Sequence, residues 1–193
     1  MIDRSGIVVS RSFEEAYQER DTAASILAGL TPPSAPPGAT GVPGGTSVKG
    51  KYLSVHASAS DAVAAPGHRM SLMLDITPGK NIHVYAPGQA GYIPIALKLE
   101  ATPDVRSGAS RYPPPRDFVF APLKETVKVF DKPFRLTQEI TLALTPALRE
   151  RATAKETLTI KGTLDYQACD DKVCFRPDSV PLVWSIALTS IEK

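Results

Sequence analysis

Apolar and polar residues alternate along most of the chain from residue 48 onward. The longest series has apolar residues at every second position, at Val180, Leu182, Trp184, Ile186 and Leu188. A period of two predicts strands that bury one face and leave the other in water. Shorter series of the same kind occupy residues 70–76, 95–99, 140–144 and 158–160.

Turn-forming residues separate these series. Clusters of proline and glycine lie at residues 65–67, 78–81, 86–88 and 113–115. About eight short strands without long helices between them predict a mainly β domain, an antiparallel β-sandwich over residues 48–193, with one helical turn near 146–151. A domain of this size folds without a disulfide, which leaves its cysteines free for chemistry.

The first 47 residues have a different pattern. In residues 1–30 a β-branched run, Ile7-Val8-Val9, precedes Ser12 and Glu15, which have the spacing of a capping box. This predicts a short strand and then a helix from Phe13 to about Ala28, ended by Gly29. Residues 31–47, TPPSAPPGATGVPGGTS, predict a flexible Pro/Gly linker.

Composition narrows the possible functions. The 193 residues carry a formal net charge of +2, which gives no indication of a nucleic-acid or membrane-surface partner. No apolar run reaches the length of about 18 residues that a transmembrane helix needs, and residues 1–6 lack the layout of a signal peptide. The histidines His56, His68 and His83 are scattered, so neither a metal site nor a cofactor is expected.

The two cysteines, Cys169 and Cys174, flank the turn-forming segment Asp170-Asp171-Lys172-Val173 between two predicted strands. A hairpin of this kind brings two sulfurs within bonding distance. A bridge that closes so short a loop stabilises little, and its exposure favours thiol–disulfide exchange. A structural disulfide, a metal site with further ligands, and two unbonded thiols stay open on spacing alone.

The residues around the cysteines resemble a known signature. Tyr166-Gln167-Ala168-Cys169 and Cys174-Phe175-Arg176-Pro177 are similar to the active site of the N-terminal domain family of the thiol:disulfide interchange protein DsbD. Residues 78–85 and 127–130 resemble it too, so the likeness covers nearly all of 48–193. Four residues separate the cysteines here, where better-known members have five. The resemblance implies an immunoglobulin-like fold and a periplasmic location; the cytoplasm stays open because residues 1–6 show no export signal.

The resemblance also implies a function. The domain would pass electrons from a thioredoxin-like donor to oxidised thioredoxin-fold acceptors, which are DsbC-like or cytochrome-maturation proteins. Exchange would run through a mixed disulfide, in which Cys174 bonds the partner and Cys169 resolves the intermediate. A monomer is expected. The alternative is a non-catalytic immunoglobulin-like binding or assembly domain with a structural disulfide.

Further residues are expected to shape the site: Tyr166, Gln167, Asp170, Asp171, Phe175, Tyr85, Phe120 and Leu123. The segment 117–123 resembles the family's cap loop, although its apolar residues also fit an ordinary core strand. The two aspartates would raise the pKa of a nearby thiol, whereas Lys172 and Arg176 would lower it, so the direction of the net shift stays open. Ordinary core positions stay open for both tyrosines. His83 lies out of phase with its apolar neighbours and is expected to face solvent.

Residues 1–30 resemble a different fold. Ile2-Asp3-Arg4-Ser5-Gly6-Ile7-Val8 with the charged helix after it is similar to the end of a peroxiredoxin-like or other thioredoxin-fold domain. The segment is therefore expected to be the remnant of a longer fusion. In such a fusion the linker would raise the effective concentration of two redox sites.

Overall fold

The computed structural model describes residues 20–21, 23–30, 45–89, 91–120 and 124–190. Two helices and fourteen strands occur in these residues, and their order along the chain is β1 (Arg20–Asp21), α1 (Ala23–Leu30), β2 (Thr46–Lys49), β3 (Leu53–Ala59), β4 (Val63–Ala64), β5 (His68–Pro78), β6 (His83–Tyr85), β7 (Ala96–Leu99), β8 (Val105–Arg111), β9 (Arg116–Phe120), β10 (Glu125–Phe130), β11 (Phe134–Leu142), α2 (Pro146–Thr153), β12 (Thr157–Tyr166), β13 (Ala168–Cys169) and β14 (Asp178–Leu188). The domain is mainly β, as the alternation predicts.

The described strands form three sheets. The largest has the order β2-β3-β5-β11-β8, and β1 adds to the end of β5 that β3 leaves unpaired. The second has the order β4-β14-β12-β7, and the third has the order β13-β6-β10-β9. Most neighbours are antiparallel, so the architecture is that of an immunoglobulin-like β-sandwich with a small third sheet at its side.

The main core lies between the sheet β2-β3-β5-β11-β8 and the sheet β4-β14-β12-β7. The alternating apolar residues of β14 are all buried there, together with those of β12, β5 and β11. Trp184 on β14 is 2% exposed, and its Nε1 donates a hydrogen bond of 3.0 Å to the carbonyl oxygen of Ser58 on β3. This bond connects the two sheets across the core.

Strand β5 is buried on both faces, although its alternation predicts one wet face. Met70, Leu72 and Leu74 are buried on one face, as are Ser71 and Met73 on the other. Strand β5 lies at the centre of its sheet, between β3 and β11, and α1 contacts it. The next polar residue on this face, Asp75, accepts two hydrogen bonds from the guanidinium of Arg135, at 2.7 and 2.8 Å, which compensates its partial burial.

The segment before the sandwich differs from the predicted helix of residues 13–28. Arg20–Asp21 is a strand that pairs in parallel with β5, and helix α1 begins at Ala23 and runs past Gly29 to Leu30. The prediction is wrong here because pairing with the free edge of β5 satisfies backbone groups that a helix would satisfy internally. The earlier predicted strand and residues 31–44 of the predicted linker lie outside the described residues. Thr46 and Ser47, predicted as linker, belong to β2.

Neither described helix is both long and apolar enough to cross a membrane.

The third sheet positions the cysteines. Strand β12 leads through Gln167 directly into β13, which pairs with β6, and β6 pairs on its other side with β10. Strand β6 is therefore interior to this sheet. Val84 of β6 belongs to the main core, whereas Tyr85 packs in a small separate cluster with Cys169, Val127 and Val129.

Candidate functional site

Cys169 and Cys174 form a disulfide, with an S–S distance of 2.14 Å and their Cα atoms 4.0 Å apart. They face each other across a tight hairpin as an isolated antiparallel bridge. Backbone hydrogen bonds close the hairpin on both sides, from the Phe175 N–H to the Ala168 carbonyl at 2.8 Å and from the Asp170 N–H to the Val173 carbonyl at 3.0 Å. The turn residues between the cysteines therefore form the hairpin that the sequence predicts.

Side chains hold the hairpin in shape. Oδ1 of Asp170 accepts hydrogen bonds from the N–H groups of Val173, at 2.7 Å, and Lys172, at 2.8 Å. These bonds lower the pKa of Asp170, so its carboxylate remains charged and caps the turn. Nε2 of Gln167 donates to the Phe175 carbonyl at 3.0 Å, on the other side of the disulfide.

The two cysteines differ in exposure. Cys169 is 0% exposed and packs with Tyr85, Val127 and Val129, whereas Cys174 is exposed. A protein that approaches the disulfide therefore meets Cys174 first.

Tyr85 touches the exposed cysteine. Its hydroxyl lies 3.4 Å from Sγ of Cys174 and is the donor, because a disulfide sulfur has no proton. Burial raises the pKa of Tyr85, with a further contribution from Glu125, so the hydroxyl keeps its proton at neutral pH. The Tyr85 ring packs at 4.2 Å on Tyr92, whose hydroxyl donates to Glu125 at 2.7 Å and has its pKa raised to about 12 by that bond.

We expect Tyr85→Phe to raise the pKa of the Cys174 thiol by about one unit. A hydrogen bond to a charged group contributes about 1.5–3 kcal/mol. In the variant, water at the exposed sulfur replaces part of this hydrogen-bond energy. The remainder corresponds to about one pKa unit, since one unit is about 1.4 kcal/mol. The pH dependence of alkylation by iodoacetamide measures this pKa in a Cys169→Ser background. Tyr92→Phe is the matched control, because its hydroxyl bonds Glu125 and not sulfur. An equal pKa in all three proteins would show that the Tyr85 hydroxyl does not act on the thiolate.

His83 is a site residue that the sequence analysis placed wrongly. It is 3% exposed, not solvent-facing, and lies directly opposite Cys169 in the register of β6 and β13. Its ring packs 4.4 Å from the ring of Phe118 and edge-on to Tyr85 at 5.7 Å. Burial is the largest influence on its pKa, which is lowered. The signal available in the sequence was that His83 and Tyr85, two residues apart, share one face of a strand.

The segment predicted as a cap loop begins as a strand. Residues 116–120 form β9 and pair with β10, and Phe118 packs against the cluster around Cys169. Phe120 is buried opposite Glu125, at the end of β9, and lies outside that cluster. Leu123 lies outside the described residues.

The remaining predicted residues surround the hairpin at different depths. Tyr166 is part of the main core, and its hydroxyl donates to Asp178 at 3.0 Å; burial, followed by this bond, raises its pKa to about 12. Phe175 stacks on Tyr52 with ring centres 4.4 Å apart. Asp171 is exposed and lines a pocket together with His83.

Comparison with solved structures shows a likeness of fold. The chain is similar to the crystal structure of the N-terminal periplasmic domain of ScsB from Proteus mirabilis, with a TM-score of 0.50 and 14% sequence identity. The match covers 74% of this chain and 50% of that one, so this chain spans about half the length of its structural relative. At this identity the likeness concerns the fold alone.

Sequence comparison is more specific. No curated protein matches the chain. The sequence model of the family described as "Thiol:disulfide interchange protein DsbD, N-terminal" matches residues 53–181, which include the whole disulfide hairpin and strand β6 beneath it. Residues 53–181 are about two-thirds of the 193-residue chain. The protein therefore belongs to the family of the N-terminal domain of the thiol:disulfide interchange protein DsbD.

Proposed function

We propose that this domain passes reducing equivalents from a thioredoxin-like donor to oxidised protein disulfides through the Cys169–Cys174 pair. The observation that supports this most directly is the unequal exposure of the two cysteines at the tip of one hairpin. An exchange site needs one sulfur that a partner can reach and a second sulfur, close by, that resolves the mixed disulfide. Cys174 fits the first requirement, and Cys169 fits the second.

The proposed reaction has two halves. In the first, a donor thiolate attacks Sγ of Cys174, the Cys169–Cys174 bond breaks, and the second donor thiol releases the reduced domain. In the second, the Cys174 thiolate attacks the acceptor disulfide and forms a mixed disulfide. The sulfur of Cys169 then attacks Cys174, and the acceptor leaves with two thiols. Two electrons and two protons pass from donor to acceptor, and the domain returns to its oxidised form.

Partners and location follow from the family in this proposal. The donor and the acceptors are thioredoxin-fold proteins, of the DsbC-like or cytochrome-maturation type, and the domain meets them as a monomer. The structural relative from Proteus mirabilis is described as periplasmic, and we propose the same compartment here. An oxidising compartment matches a disulfide that is closed unless a dedicated donor reduces it.

The reduction potential of the pair tests this function. Equilibration in graded glutathione or dithiothreitol buffers, followed by acid trapping and mass spectrometry, measures it. We expect a value between about −180 and −270 mV, the range of thioredoxin-fold exchange partners. A value well below about −300 mV would mark a structural disulfide and would favour a non-catalytic binding or assembly domain.

A further inference from the structure

His83 has an unusual environment for a buried polar residue. Among the buried side-chain nitrogen and oxygen atoms of the described residues, its Nε2 alone lacks a hydrogen-bond partner. Leaving such an atom unpaired costs stability, and a redox or catalytic role is one physical reason for which a native protein retains it. The rings of Phe118 and Tyr85 pack against the imidazole, with ring centres 4.4 and 5.7 Å away.

The position of His83 connects it with the buried cysteine. His83 and Cys169 are register partners on the antiparallel strands β6 and β13. Partners of this kind point to the same face, with Cβ atoms about 4.5–5.5 Å apart. In the oxidised domain the sulfur of Cys169 has no proton to share. Reduction creates a thiol on the residue directly opposite His83, whose Nε2 has no hydrogen-bond partner in the protein.

We propose that His83 is the general base for the resolving thiol Cys169. This inference rests on the exchange function proposed above and assigns a residue to its last step. As the sulfur of Cys169 attacks Cys174 in the mixed disulfide, its proton moves to Nε2 of His83. The bond between Cys174 and the partner breaks, and the partner leaves as a thiolate that takes a proton from water. In the reverse direction, the imidazolium protonates Cys169 as it leaves Cys174.

Such a base is needed because Cys169 is buried among apolar side chains, which raises the pKa of a thiol and keeps it protonated at neutral pH. Burial lowers the pKa of His83 below its ordinary 6.5. The imidazole is therefore neutral at pH 7, and one of its nitrogens is free to accept a proton. Three charged groups face it: Asp131 and Asp170 raise its pKa and Arg116 lowers it, and burial is a larger influence than any of them.

The proton has a path to solvent. His83 lines an open pocket of about 450 Å³ beside the hairpin, together with Asn81, Arg116, Asp131 and Asp171. The imidazolium can release its proton to water in this pocket after each turnover.

Release of thionitrobenzoate from one equivalent of 5,5′-dithiobis(2-nitrobenzoate) by the reduced protein tests the inference. The first release reports attack by Cys174, and the second reports resolution by Cys169. We expect His83→Gln to leave the first rate within about twofold and to slow the second by about 100-fold at pH 7, the usual range for loss of a general base. The defect should shrink as the pH approaches the pKa of the Cys169 thiol, because the thiolate then forms without a base.

Two further variants complete the experiment. His83→Phe keeps a ring against Phe118 but cannot accept a proton, and it should show the same pH-dependent defect. His56→Gln replaces a histidine on β3 that shares a hydrogen bond with Ser47, and it should match wild type. A wild-type second rate in either His83 variant, or a defect that is equal at all pH values, would overturn the inference. Failure of the proposed exchange function gives a different result. In that case the reduction potential of the wild-type protein lies below about −300 mV, while both phases of thionitrobenzoate release are still observed.

Discussion

Replacing Cys174 with serine should stop disulfide exchange at its first step, by about a thousandfold or more, because a serine hydroxyl does not attack a disulfide. Replacing Cys169 with serine should have the opposite signature. Cys174 remains exposed and reacts, but the mixed disulfide lacks the buried sulfur that resolves it. Incubation of each reduced variant with a single-cysteine thioredoxin, activated as its mixed disulfide with thionitrobenzoate, should therefore give a stable covalent adduct with Cys169→Ser and none with Cys174→Ser, because this acceptor has no second thiol that could reverse the bond and thionitrobenzoate is the leaving group. Non-reducing electrophoresis and intact mass measure the adduct.

The double variant Cys169→Ser/Cys174→Ser controls for association without a covalent bond. The reverse result, an adduct of Cys174→Ser, would exchange the roles assigned to the two sulfurs. An absence of adduct with both variants would contradict exchange with thioredoxin-fold proteins, and the structural-disulfide interpretation would then account for the pair.

The features that were predictable from the sequence are those that depend on neighbours along the chain. Strand β14 was predictable because each second residue from Val180 to Leu188 is large, apolar and buried in the same core, and the residues between them are exposed on the other face. The hairpin was predictable because Asp170 forms its turn through hydrogen bonds to residues two and three positions later. Both rest on local rules of alternation and turn chemistry.

The features that were missed depend on contacts between distant segments. Burial of His83 requires β9 and β10 to cover a three-residue strand, and a strand so short shows no period of its own. The same packing buries Cys169 and leaves Cys174 exposed, so the difference between the cysteines could not be derived from their spacing. Phe118 and Phe120 alternate in the same way whether they form a lid or a strand, and only the pairing of β9 with β10 decides for the strand.

Stability of the sandwich should depend strongly on Trp184. We expect Trp184→Ala to lower the free energy of unfolding by about 3–5 kcal/mol, because it leaves a large cavity between the two main sheets and removes the hydrogen bond to Ser58. A domain that is stable by about 5–15 kcal/mol would lose a large part of that margin. Trp184→Phe keeps a ring in the core. Its free energy of unfolding should fall by only about 1–2 kcal/mol, because the hydrogen bond from the indole N–H group is lost.

Denaturation by urea, followed by far-ultraviolet circular dichroism, measures these changes in the oxidised protein. Fluorescence cannot serve, because Trp184 is the only tryptophan of the chain. Val183→Ala is the matched control, since Val183 is adjacent, 44% exposed and on the opposite face, and should change stability by less than about 0.5 kcal/mol. Equal midpoints for Trp184→Ala and Val183→Ala would contradict the position of Trp184 between the sheets. Folded Trp184→Ala should keep the wild-type reduction potential, because Trp184 packs in the main core whereas Cys169 packs in the separate cluster with Tyr85; stability and exchange chemistry are then separable in this domain.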